Sequence, residues 1–142
     1  MDIAERIADI LTRVAQIRYL KYEPCENPHI AIAFGDEKEI HFEHFAESAS
    51  CRESWEALVQ MLVTNCSSPF IGMANTLFQP AHLAKVMRFE DERGYFVALL
   101  FTGGHNIAWG YHKMAERTAA YRTLLQMLGE EAGDENLNQT IQ

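Results

Sequence analysis

The residue with the clearest claim to reactivity is Cys51. Ser50 followed by Glu53 is a capping-box pattern, which places Cys51 at the first position of a helix beside Arg52. A helix N-terminus and a neighbouring cation both favour thiolate. His44 is a possible source of the base that a cysteine nucleophile needs. An inert cysteine at a helix start satisfies the same pattern. His41 and His44 invite a metal reading, but positions three apart on a strand point to opposite faces. His29 could meet His41 across a hairpin, without a third ligand in evidence, so no metal and no other cofactor is expected. His82, His105 and His112 are scattered at loop and strand edges. Gly103-Gly104-His105-Asn106 lacks phosphate-loop spacing and precedes a strand, which makes it a hairpin turn. No serine sits in a nucleophile-elbow pattern. No catalytic residue is therefore assigned, and a cysteine-dependent enzyme is the least favoured reading.

The carboxylates are more informative. The chain has 142 residues, with 12 Lys+Arg against 20 Asp+Glu and a net charge of −8. Residues 23–56 hold nine acids and two bases, and the last fourteen residues add four acids; the remainder leans slightly basic. The excess argues against a general phosphate-backbone binder and against docking on anionic membranes. It points to a partner protein with a basic surface, met through Asp36, Glu37, Glu39, Glu43 and Glu47. A solvated, solubility-giving face explains the same charges. Trp109 and Tyr111 alternate on one strand, with Arg117 and Arg122 on the following helix. They could form an aromatic contact surface or stack a base, and packing of that helix on the sheet explains them equally.

These residues need elements to hold them. Ile3, Ile7, Ile10, Leu11, Val14 and Ile17 make one helical stripe, with Asp2–Arg6 and Asp9–Arg13 as acid-before-base pairs. Ile30, Ile32 and Phe34, then Ile40 and Phe42, alternate with small or polar residues around Gly35-Asp36-Glu37-Lys38, predicting a hairpin. Trp55, Leu58, Val59, Leu62, Val63 and Cys66 give a second helix, stopped by Ser67-Ser68-Pro69. Phe70 to Phe78 favours a short helix opened by Pro69, weakened by Gly72 and Asn75. Three strands follow, around Met87, along Tyr95–Phe101 and around Trp109. A last helix carries Met114, Thr118, Tyr121, Leu125 and Leu128, capped by Gly129.

The reading is an α+β single domain over residues 1–129. It has an antiparallel sheet of about five strands with flanking helices, in the order α-β-β-α-(α)-β-β-β-α. Residues 130–142 form an acidic tail expected to be disordered. The element order resembles that of profilin-like, roadblock-like and PAS-like domains, and type III secretion chaperones are not far off, in order alone and without a shared residue motif. Three scattered cysteines (Cys25, Cys51, Cys66) do not form a disulfide framework, and the charged N-terminus does not resemble a secretory signal, so the cytoplasm is the expected compartment.

Function then reads as non-enzymatic protein–protein binding. The forms considered are an inhibitor or immunity-type protein that blocks a partner's basic, nucleic-acid-binding surface, and an adaptor or chaperone. A homodimer could form through a sheet edge or the aromatic last strand. The alternative is a small-ligand sensor, with Phe96, Trp109 and Tyr111 lining its pocket.

Overall fold

The computed structural model describes residues 3–64, 70–129 and 140–141. They fall into two compact units, Met1–Ala81 and His82–Gln142. The fold is α+β, and the expected five-stranded antiparallel sheet with flanking helices is present in the first unit. Its strands differ from the expected set, because five strands of the first unit make it up and the last three hairpin strands belong to a second sheet.

In the first unit, α1 (Ile3–Thr12) ends before a short 3-10 turn, Val14–Gln16. The helical stripe was expected to run on to Ile17, but Ile17 opens β1 (Ile17–Glu23). Its alternating residues pair antiparallel with β2 (His29–Phe34) on one side. On the other side β1 pairs with β5 (Thr76–Phe78). The short helix expected over Phe70–Phe78 is instead a hairpin of β4 (Ile71–Met73) and β5. Ala74 turns it with a φ of 55°, a left-handed conformation that a helix does not contain. Asn75 Nδ2 and the Asn75 carbonyl both bond the Tyr22 backbone, which ties the turn to β1. Gln79, buried past the end of β5, donates its amide to the carbonyls of Val14 and Ile17 at 3.0 and 2.8 Å. Those two bonds satisfy a carbonyl of the 3-10 turn and one of the first residue of β1, where the chain becomes a strand.

Strand β3 (His41–His44) pairs with β2 and closes the sheet order β3-β2-β1-β5-β4, so β3 and β4 are its edges. Helix α2 (Ser48–Thr64) packs with α1 on the face carrying Leu20, Ile30, Ile32, Phe34 and Leu77. Tyr22 stacks on Trp55, ring centres 5.7 Å apart. The expected helix stop at Ser67–Pro69 and the expected core position of Cys66 lie outside the described residues.

The second unit is built from β6 (Leu83–Asp91), β7 (Gly94–Phe101) and β8 (Asn106–Tyr111), an antiparallel meander as expected. Gly94 starts β7 at φ 144°, and a Cβ there would stand 2.9 Å from the Tyr111 carbonyl oxygen, so only glycine fits. Gly103 and Gly104, both at positive φ, make the β7–β8 turn. Helix α3 (Met114–Met127) begins with Glu116 accepting from the Lys113 amide and buries Arg117, Tyr121, Leu124 and Leu125. Met114, placed on the core stripe by spacing, is half exposed. Most of the tail expected over residues 130–142 lies outside the described residues; Thr140–Ile141 (β9) pair parallel with Arg88 and Phe89 of β6.

Candidate functional site

The first unit carries a cleft of about 440 Å³ between α1 and the β2–β3 hairpin. Arg6, Asp9, Ile10, Thr12 and Arg13 line one wall, and Phe34, His41 and Glu43 line the other. Helical spacing puts residues 6, 9 and 10 along one side of α1 with the buried Ile7, and Arg13 follows just past the helix end.

Each arginine is held by a ring under its face and acceptors at its edge. The Arg13 guanidinium lies 3.8 Å from the Phe34 ring centre and reaches Asp36 at 2.8 Å and Glu37 at 3.5 Å. Arg6 lies 4.8 Å over Phe45, donates to the His44 carbonyl at 2.9 Å and stands 4.0 Å from Glu43. Glu43 also meets His41 Nε2 at 2.5 Å. Arg13 was expected to pair along the helix with Asp9 and instead binds carboxylates more than twenty residues away, since a ring-stacked guanidinium gains packing as well as charge. The expected Asp2–Arg6 pair lies outside the described residues.

This arrangement redistributes the expected acidic patch. Asp36 and Glu37 are exposed at the β2–β3 turn but engaged by Arg13. Glu43 turns toward α1, not outward. Glu39 and Glu47 are exposed and form no ion pair among the described residues. The hairpin's alternation was expected to send Phe42 inward and Glu43 outward. The observed register, His41 opposite Ile32, puts His41 and Glu43 on the helix-covered face and leaves Phe42 49% exposed. A one-residue shift in pairing register exchanges a strand's faces.

On the outer face of the same hairpin, His29, Phe42 and His44 form an aromatic cluster. Their ring centres lie 5.5 Å (His29–Phe42), 6.0 Å (Phe42–His44) and 5.5 Å (His29–His44) apart. The expected neighbour of His29 was His41; the register supplies His44 instead.

Cys51 is not at a helix start. The helix begins at Ser48, Cys51 donates its backbone amide to the Glu47 carbonyl, and its side chain is fully buried in the core. Burial pushes its thiol above the ordinary range, and the neighbouring Cys25 adds to the shift. His44 sits on the opposite face of the sheet from that core, so it does not supply a base. The conditions for an activated thiolate are reversed.

Trp109 and Tyr111 lie in the second unit, opposite Val97 and Tyr95, on the face that α3 covers. Arg117 is buried there, donates to the Phe89 carbonyl at 3.0 Å and lies 5.4 Å over Tyr95. It packs the helix on the sheet and is not displayed for a phosphate, whereas Arg122 is exposed. Phe96 pairs with Gly110 and therefore points away from Trp109 and Tyr111. These three aromatics do not line one pocket, which corrects the pocket expected for a ligand sensor. Among the described residues no three His, Cys, Asp or Glu side chains group around a metal position, and no helix is long and apolar enough to cross a membrane. Arg6, Arg13 and Phe42 were missed from sequence. The signal for the arginines was their seven-residue spacing on one edge of the apolar stripe.

No protein-family model, curated protein or solved structure matches this chain.

Proposed function

We propose that the protein is a non-enzymatic binding module that takes an extended, basic segment of a partner protein along β3. The observation that carries this reading is Phe42, half exposed on an edge strand whose flanking loops carry the uncompensated Glu39 and Glu47. An apolar anchor ringed by charge is how binding energy concentrates at interfaces. Among the described residues no strand pairs with the outer edge of β3, so its main chain, apart from the His44 carbonyl that Arg6 holds, is open to an added strand, and alternate side chains give selectivity. Carboxylates facing arginine or lysine form charge-assisted bonds and steer the approach. The outcome is a covered basic surface, the action of an inhibitor or a chaperone-like adaptor. Asp36, Glu37 and Glu43 hold α1 to the hairpin and so contribute through shape and field more than through direct contact.

The test is affinity capture from the native host with elution by a salt gradient, comparing wild type with Phe42→Asp and with the double variant Glu39→Lys/Glu47→Lys. The partner is expected to elute with rising salt and to be lost from both variants. Equal capture by all three, with the same salt profile, rejects the reading.

A second reading, a small-ligand sensor, is favoured by the cleft alone. Its volume falls within the roughly 300–1,000 Å³ of small-molecule sites. Native mass spectrometry of gently purified protein is then expected to show an added small mass that disappears in Arg13→Ala. A bare protein mass across ligand screens counts against it.

A further inference from the structure

We infer that His29 and His44 form a surface site for a divalent late first-row transition-metal ion such as Ni²⁺, Cu²⁺ or Zn²⁺. The two residues are directly opposed partners of β2 and β3. Their ring centres are 5.5 Å apart. Two imidazoles that share one tetrahedral ion at about 2.0–2.1 Å hold their ring centres roughly 5 Å apart, close to the separation of this pair. Imidazole suits these metals, and affinity rises toward Cu²⁺ along the series.

The surroundings prepare the pair. His29 Nδ1 lies 2.8 Å from the Asn27 carbonyl oxygen. A carbonyl only accepts, so Nδ1 carries the proton and Nε2 keeps its lone pair for a ligand. A ligating histidine held by a backbone carbonyl through its second nitrogen is the usual supporting arrangement. The strand ends are also fixed. Arg6 donates to the His44 carbonyl, and the Phe45 amide donates to the Pro28 carbonyl at 3.1 Å. On the neighbouring strand Glu23 stands opposite His29, with Lys21 at 2.9 Å from its carboxylate. With two protein ligands, the remaining coordination positions belong to solvent, so the site is open. Cys25 Sγ lies 4.0 Å from His29 Nδ1, on the nitrogen that the Asn27 carbonyl already occupies. It is therefore a neighbour of the pair and not a ligand.

The experiment is titration of tag-free, full-length protein with Ni²⁺ by calorimetry, with proton NMR of the histidine and phenylalanine rings in parallel. Wild type is expected to bind one equivalent and to broaden the rings of His29, His44 and Phe42. Either His29→Ala or His44→Ala is expected to weaken binding at least about tenfold, while Cys25→Ser and His112→Ala leave it unchanged. Unchanged affinity in both histidine variants overturns the proposal. So does a loss confined to Cys25→Ser, which assigns the ion to the thiol.

Discussion

Leu62→Ala is expected to lower the unfolding free energy of the first unit by about 2–5 kcal/mol, and Val63→Ala to change it by less than about 0.5 kcal/mol. The two residues are neighbours on α2 and both belong to the apolar stripe that spacing suggests. Leu62 is fully buried with Leu58, Ile30 and Ile32, whereas Val63 is 51% exposed. Truncating Leu62 removes apolar area and leaves a void that close-packed neighbours fill only in part. Truncating Val63 removes atoms that water already reaches. The chain has two tryptophans, one in each unit, and Trp55 stacks on Tyr22 within the first. In a Trp109→Phe background, urea unfolding followed by fluorescence therefore reports the first unit alone. Equal effects of the two truncations would show that α2 is rotated from the orientation described.

That contrast indicates how far periodicity reaches. The apolar repeats of α2 and α3 predict both helices, and the alternations of β2 and β6 to β8 predict the strands. The same rule overruns at Ile17, because Ile10, Val14 and Ile17 keep helical spacing across the 3-10 turn. What ends the helix there is tertiary. The Gln79 amide bonds the Val14 and Ile17 carbonyls from more than sixty residues away, and β2 and β5 pair with both edges of β1. No local pattern carries that information. Strands β4 and β5 have three residues each, too few for an alternation to be distinguished from a helical turn.

The site was legible in part for the same reason. The acid-rich segment is visible in the sequence; its Glu43 lines the cleft, and its Asp36 and Glu37 reach the cleft's Arg13. The partners of those acids are set by chain reversal: Arg13 meets Asp36 and Arg6 meets Glu43 only because α1 lies against the hairpin. Local charge counting therefore overstates the patch, and the pairing register with β2 decides that Phe42 and not Glu43 faces outward. The basic partner in the proposed function meets a smaller and more apolar surface than the count alone suggests.

Alkylation is expected to separate the two described cysteines by at least about 100-fold in native protein at neutral pH, Cys25 reacting first. Cys25 is exposed, and Cys51 is buried among core side chains. Reaction at Cys51 needs a local or global opening, whose free energy for a core helix approaches that of unfolding, and each 1.4 kcal/mol of opening slows it about tenfold. The raised thiol pKa acts in the same direction, because the folded chain keeps Cys51 protonated where an unfolded chain releases the proton. The sign for stability follows. A group whose folded pKa lies above its unfolded value contributes fully at pH below the unfolded value, about 8.5 for a thiol, and that contribution is lost as pH rises through the folded value. Buried Tyr19 adds a loss of the same sign above about pH 10, since burial raises its phenol too. The unfolding midpoint in urea is expected to fall between pH 8 and 10, and to fall less in Cys51→Ala measured against its own neutral-pH value. Peptide mapping after iodoacetamide treatment reads the first result. Modification of Cys51 as fast as Cys25 would place that thiol at the surface and return the cysteine-enzyme reading to contention.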